Sequence, residues 1–378
     1  MPDPLLARRD FLRAAGALAL TPAALAGLGR PRSAGRTPWP GYEDALVLDF
    51  LASPGLFNTT LDRRLDDAMV ANAVASGITA VNLTVSGGDL EGTMGRMAPW
   101  SAALARHPQA LVQVRTVSDL GAAKETGRLG LIFGFQDSTP LEGDLDRIDL
   151  FHDLGVRVIQ LTYNGRNLAG DGCLEPGNAG LSRWGHALVE RMEEKGLVVD
   201  LAHCGQRTTA DGIAAARGPV AISHSGCKAI HDNPRSKRDE ELRAMADKGG
   251  VVGIYLMPFL APGRPATADD VMAHVEHALD VCGEDHVGIG SDLSITPIEK
   301  DDAEYWRAHR EFVARRKASG SAAPGEDEEI LFYVEDLNTP RRLERIADHM
   351  AARGHAARVI EKVVGGNFAR LIEEVWRA

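Results

Sequence analysis

The sequence predicts a closed (β/α)8 TIM-type barrel. Three observations carry that prediction: eight short, nearly continuous apolar runs, stretches of helical spacing between them, and glycines that close those stretches. Unbroken apolar runs suit strands buried on both faces, as in a parallel sheet. Regular alternation of strand and helix marks an α/β fold, and eight repeats point to a barrel rather than an open sheet. An open doubly wound sheet is the alternative, but no Gly-rich dinucleotide fingerprint follows the first run, where such a fold would carry it.

The first run is Ala45-Leu46-Val47-Leu48-Asp49-Phe50, and the second spans Ile78 to Leu83. Leu129 to Phe135 and Val156 to Leu161 follow. Leu197 to Leu201, Val220 to Ser223, Gly250 to Tyr255 and His286 to Gly290 complete the set. Helical spacing occupies Leu61 to Ala75, Asp144 to Leu154, Ser182 to Lys195, Thr208 to Ala216, Asp239 to Lys248 and Ala268 to Cys282. Ser182 and Thr267 are N-cap residue types at helix starts. Gly77, Gly155, Gly196, Gly249 and Gly283 stand where helices stop.

The rhythm breaks from about Glu299 to Asn338. That charged segment contains Arg315-Arg316-Lys317, then Gly320, Pro324, Gly325 and Glu326-Asp327-Glu328-Glu329. It reads as an insertion after the eighth strand, helical at first and then an exposed loop. Helices resume at Thr339-Pro340, pause at Gly354 and close with Ile360 to Trp376.

Residues 1–40 read as a leader and linker, and 41–378 as one barrel domain. Arg8-Arg9 precedes an uncharged, Ala/Gly-rich run from Ala14 to Gly29, which matches a Tat-type export signal. Ala24-Leu25-Ala26 suits cleavage, so the expectation is a periplasmic or secreted protein. The run is too short and too weakly apolar for a permanent span.

Composition narrows the function. The 378 residues carry a formal net charge of -11. An acidic chain without a basic stripe is not built for nucleic acid, since phosphate binding needs clustered Lys and Arg. The four cysteines, Cys173, Cys204, Cys227 and Cys282, form no C-x-x-C pair and read as unpaired thiols.

Side chains at the C-terminal ends of barrel strands line the active site of this fold. Here they are Asp49, Gln136-Asp137, Thr162-Tyr163-Asn164, Asp200 with His203, His224, and Asp292. Two imidazoles from consecutive strands and a carboxylate from the last strand make a metal-site constellation. Such a set suits zinc, with an open position for an activated water. The helix-borne histidines, among them His107, His186, His274 and His277, read as ordinary surface or core residues.

At these residues the sequence resembles the membrane (renal) dipeptidase family of zinc peptidases. The likeness runs through Leu154-Gly155-Val156-Arg157, Gly180-Leu181-Ser182, Asp200-Leu201-Ala202-His203, Ser223-His224-Ser225 and Asn233-Pro234-Arg235. It continues through Gly288-Ile289-Gly290-Ser291-Asp292 to Gly365-Gly366-Asn367-Phe368-Ala369-Arg370. The resemblance implies that His203 and His224 bind metal. It implies that Asp292 binds metal and shuttles a proton, and that Arg235 grips a substrate carboxylate. A guanidinium fork suits that last task. Asn164 is expected to touch substrate. The implied reaction is hydrolysis of a dipeptide or related amide. The family also allows a homodimer.

Three positions depart from the family pattern. Leu51 and Ser53 stand where a His-x-Asp pair ligates metal, Gln136 where a glutamate bridges two ions, and Tyr163 where a histidine steadies the tetrahedral intermediate. An amide binds a dication less strongly than a carboxylate. A phenol still offers one hydrogen bond to an oxyanion. One zinc ion is therefore expected rather than two. Its ligands are expected to be His203, His224 and Asp292, with Gln136 and Asp49 as weaker candidates. Glu175, in the loop Gly170 to Glu175, is a further acid/base or ligand candidate. The competing reading is a catalytically impaired barrel that binds a small carboxylate ligand through Arg235.

Overall fold

Eight parallel strands close into one ring in the computed structural model, which describes residues 38–61 and 64–376. The strands are β1 (Leu48–Asp49), β2 (Ala52–Ser53), β3 (Ala80–Thr84), β4 (Leu111–Gln113), β5 (Leu129–Phe135) and β6 (Val156–Gln160). Then come β7 (Val198–Asp200), β8 (Ala221–Ser225), β9 (Val251–Ile254), β10 (Val287–Ile289) and β11 (Leu293–Ser294). The ring passes β1, β3, β5, β6, β7, β8, β9 and β10, and returns to β1 through the pair Asp49 and Ile289. Each apolar run read from the sequence supplies one strand of it. β2 and β11 pair with each other just beyond β1 and β10, extending the barrel at its C-terminal end. β4 lies beside the start of β5 and was not anticipated.

Burial alternates as the pleat demands. Leu48, Ala80, Ile132, Val158, Val198, Ala221 and Val251 form one cluster inside the ring, each from a different strand. Outward residues such as Val47, Val81, Leu131, Val199 and Val252 join the larger layer under the helices. Small and branched side chains on the inside leave a packed core and no pore. The N-terminal end is plugged by the helix Asn367–Val375, whose Phe368 stacks on Phe50 with ring centroids 3.9 Å apart. Gly365 precedes that plug, and a Cβ there would lie 2.2 Å from the Leu46 carbonyl oxygen. The Gly365-to-Arg370 motif therefore seals the bottom of the barrel.

Helix ends follow local chemistry. Ser182 accepts from Gly185 N, and Thr267 forms a capping box with Asp270. The helix expected from Leu61 begins only at Asp67, because Asp66 takes the cap and accepts from Met69 N. Two helices, Leu90–Arg106 and Val117–Thr126, were absent from the sequence reading. The first contains Gly92, Gly95 and Pro99, and the second is short and rich in small residues, so neither shows a strong apolar stripe.

The insertion departs most from expectation. Its helix is present at Ala303–Ala318, but the following segment is not an exposed loop. Ala323, Glu326, Leu331, Phe332, Val334 and Leu337 are buried there. The segment folds back onto the mouth of the barrel, where its carbonyls meet side chains of the strand-end loops.

All four cysteines are free thiols. The leader and linker expected over residues 1–40 fall, but for residues 38–40, outside the described part. Among the described residues no helix is long and apolar enough to cross a membrane.

Candidate active site at the barrel mouth

His203 follows β7 and His224 lies within β8, so adjacent strands bring the two imidazoles together. Their Nε2 atoms are 2.9 Å apart. The backbone is closely packed beside His224: a Cβ on Gly290 would sit 1.9 Å from the Ser223 carbonyl oxygen. Both histidines are buried.

The partners of the two Nδ1 atoms settle the tautomers. Asn164 donates its amide nitrogen to the Ser321 carbonyl at 2.8 Å, which turns its Oδ1 toward His203 Nδ1 at 2.6 Å. A carbonyl oxygen only accepts, so His203 donates from Nδ1 and its Nε2 is bare. Ser223 gives its single hydroxyl proton to Asp200 at 2.5 Å, leaving its oxygen to accept from His224 Nδ1 at 2.8 Å. His224 Nε2 is therefore bare as well. Asp200 is held by backbone N–H groups of Ser223 and Ala202 at 2.9 and 3.1 Å.

Two bare nitrogens this close repel unless a cation stands between them. A proton is disfavoured, because burial, and then the nearby Arg235 cation, push both imidazoles well below their usual range. A divalent metal fits the donor chemistry. Each imidazole presents one lone pair and hands its other nitrogen to an acceptor, which is how metal-bound histidines are held. His203 and His224 are the residues that would hold such an ion.

The third expected ligand does not join them. Among the described residues no three His, Cys, Asp or Glu side chains form a group able to hold a metal. Asp292 is buried beside Arg235, which opposes the effect of burial on its carboxyl. Burial is the larger influence and pushes the carboxyl up to about 7. Its backbone takes a left-handed φ of 59°, uncommon outside glycine. That turn is pinned by Asp292 N donating to Leu51 O at 2.7 Å and by Asn58 donating to Asp292 O at 2.8 Å. Gln136 is anchored through its backbone, to Ser86 and Gln160. Asp49 accepts from Ser291 N at 2.7 Å and ties β1 to the end of β10. Glu175 faces Arg166 at 3.9 Å. Leu51 and Ser53 are 1% and 2% exposed, and the carbon side chain of Leu51 offers no donor atom. Among the described residues, then, two imidazoles offer bare nitrogens to a metal and no third His, Cys, Asp or Glu side chain joins them.

Arg235 is the largest fully buried side chain. Its Nη1 donates to Ala202 O at 2.8 Å, while Nη2 is buried without a partner. A buried guanidinium nitrogen with no acceptor is costly, and a carboxylate is the group that satisfies it best. Asn164, expected to touch substrate, has its amide used by His203, Cys173 and Ser321 instead. It orients an imidazole.

Tyr163 stacks on His203, with centroids 4.1 Å apart and planes 21° from parallel. Its hydroxyl accepts from Arg316 Nη1 at 2.9 Å. Arg316 comes from the insertion, where the sequence reading placed it in a charged segment and assigned it no role. A signal was present nonetheless: Tyr305, His309 and Val313 are buried on the same helix, and Arg316, three residues after Val313, lies along that face. Glu326 and Ser223 were likewise missed.

Comparison with known proteins gives one consistent answer. The profile described as membrane dipeptidase (Peptidase family M19) matches residues 58–317. Dipeptidase verJ of Clonostachys rogersoniana is 31% identical over 206 residues, covering 54% of this chain and 53% of that protein. The chain spans about half the length of the curated relatives it matches. An amidohydrolase from Pseudomonas aeruginosa superposes with a TM-score of 0.78 at 28% identity, over 89% of this chain and 98% of that one. A protein described as the metallo peptidase dipeptidase AC superposes at 0.69 with 19% identity, over 88% and 99%.

Proposed function

The chain belongs to the membrane dipeptidase family, and from that premise we propose that it is a metal-dependent hydrolase acting on a dipeptide or related small amide. The observation that carries the reading is the pair of bare, buried Nε2 atoms 2.9 Å apart, each backed by an acceptor for its other nitrogen. His203 and His224 would hold one zinc ion, and when bound it supplies Lewis acidity toward the amide carbonyl.

The remaining steps belong to the chain. Arg235 binds the substrate's free carboxylate through its unpartnered Nη2. That contact fixes the scissile amide over the imidazole pair, and fixed geometry lowers the barrier by itself. Asp292, with its carboxyl near pH 7, accepts the proton of the attacking water and returns it to the leaving amine. Tyr163 keeps its own hydroxyl proton while accepting from Arg316, and donates it to the oxyanion. Asn164 and Ser223 hold the imidazoles in the required tautomers. Delivery through a Tat-type leader to the periplasm or beyond belongs to the same proposal.

A second reading has one observation in its favour: no third ligand completes a metal group among the described residues. On that reading the barrel binds a small carboxylate through Arg235 and does no chemistry. Metal analysis of the purified chain, followed by a dipeptide panel with added zinc and with chelator, separates the two. One bound zinc and chelator-sensitive release of free amino acids are expected. A metal-free chain that binds an acylated amino acid without cleaving it overturns the hydrolase.

A further inference from the structure

The insertion after the eighth strand touches the site at three places. Arg316 Nη1 donates to the Tyr163 hydroxyl at 2.9 Å. The Ser321 carbonyl accepts from Asn164 at 2.8 Å, and the Pro324 carbonyl accepts from Asn233 at 2.7 Å. Tyr163 and Asn164 both pack on His203, and Asn233 accepts from the backbone N–H of Arg235 at 2.9 Å. Each contact therefore reaches a residue that faces the imidazole pair, or the loop that carries Arg235. A peripheral loop would have no reason to converge there.

Arg316 is itself tightly fixed. Its Nε and Nη2 grip Glu326 at 2.5 and 2.7 Å, and Nη2 also donates to Ser321 O at 2.9 Å. The Glu326 carboxylate is almost fully buried and closes the loop by accepting from Ala323 N at 2.8 Å. With its fork engaged this way, Arg316 is not available to bind a substrate carboxylate. Its remaining reach goes to Tyr163. It makes one hydrogen bond to the phenol oxygen and lies 5.5 Å from the ring centroid. A phenol has one proton. Because its oxygen accepts from Arg316, that proton is left to donate elsewhere.

We propose that Arg316 is a positioning residue: locked by Glu326, it holds the Tyr163 phenol flat on His203 with its donor free for the reacting carbonyl. The insertion is then part of the catalytic machinery, and the departure at Tyr163 is matched by a guanidinium from outside the barrel. This rests on the hydrolase reading, so the test has one arm that needs no turnover.

In the first arm the full chain is labelled with 3-fluorotyrosine. Its tyrosines are Tyr42, Tyr163, Tyr255, Tyr305 and Tyr333, and loss of one fluorine signal in Tyr163→Phe identifies Tyr163. In Arg316→Met, and more mildly in Glu326→Gln, the Tyr163 signal should shift and broaden while the other signals stay. Those unmoved signals report an intact fold. A Tyr163 signal unchanged in both variants overturns the proposal. In the second arm, Arg316→Met should lower kcat by about tenfold with KM within twofold, and Arg316→Lys should recover part of it. Removing a donor to an oxyanion costs on the order of 100-fold, which is the loss expected of Tyr163→Phe. Adding Arg316→Met to Tyr163→Phe should then cost nothing further. A full extra tenfold in that background overturns the proposal. If the wild type cleaves no dipeptide, the hydrolase reading fails and the fluorine arm decides alone.

Discussion

On the β7–β8 side of the mouth, two bare imidazole nitrogens face each other, and Asn164 and the Ser223–Asp200 pair fix the nitrogens behind them. On the β1–β5 side, the same level of the barrel carries Leu51, Ser53 and Gln136. On that side Leu51 and Ser53 are buried, and the Leu51 carbonyl is used to hold Asp292 in its turn. The difference teaches that bare imidazole lone pairs go together with acceptors that hold the nitrogens behind them. Where the two imidazoles stand, their hydrogen-bond partners stand too; on the other side a carbon side chain, a hydroxyl and an amide hold the positions, and Ser53 borders a cavity of about 500 Å³. An unpaired buried carboxylate in that place would be costly.

The largest effect comes from damaging the competent side. His224→Ala removes one lone pair and leaves His203 alone. Changing only the partner behind a metal-bound histidine typically costs about 10–100-fold in affinity or activity, so losing the ligand should exceed about 100-fold in kcat/KM. Zinc content measured on the same preparation should fall with it. Full zinc occupancy in His224→Ala would mean that the imidazole pair is not the metal site.

Arg235→Met probes what lies between the two sides. A hydrogen bond to a charged group is worth about 1.5–3 kcal/mol, so KM for a dipeptide should rise roughly 10- to 100-fold with a smaller change in kcat. The same variant should be more heat-stable than the wild type, because a buried guanidinium with an unpartnered Nη2 gives way to an apolar side chain of similar reach. Calorimetry and kinetics on one sample check both. An unchanged KM accompanied by a lower melting temperature would show that Arg235 serves packing and not ligand binding.

The comparison can also be broken from the other side. Leu51→His, Ser53→Asp and Gln136→Glu together restore anionic and imidazole ligands on β1 and β5. Metal content should move from one ion per chain toward two. If it stays at one, the backbone on that side has moved along with the side chains.

Much of this was legible in the sequence, and the exceptions have physical reasons. The eight apolar runs gave the ring because a strand buried on both faces needs unbroken apolar residues, as Leu129–Phe135 does. His203, His224 and Arg235 stood out because strand-end loops line the mouth. The absence of a third side chain beside the imidazole pair among the described residues could not be seen, since residue type and strand position do not fix where a side chain points. Arg316 was hidden by its neighbours: it stands between Arg315 and Lys317, which face solvent, and residue type alone does not single out the middle one. Asn164 looked like a substrate contact because its use by Ser321 joins segments 157 residues apart in the chain.

The smallest effect concerns a histidine that shares the burial of the imidazole pair but none of its chemistry. His274 lies on the helix Ala268–Cys282, and its Nδ1 accepts from Cys227 N at 2.9 Å. Burial pushes it down to about 4; His231 and His277 act in the same direction, and Asp270 against it. The native state keeps this ring neutral while the unfolded chain protonates it below about 6.5. Its contribution is therefore complete above about pH 6.5 and is lost as pH falls toward 4, by about 3 kcal/mol in total. His274→Asn keeps an acceptor near Cys227 N and removes the titration. Urea unfolding of the chelator-treated protein at pH 7.5 and pH 5 should show a smaller pH dependence in this variant, with zinc content and turnover at neutral pH unchanged. Equal pH dependence in variant and wild type would place the acid sensitivity elsewhere. The first place to look would be His203 and His224, which burial depresses in the same direction.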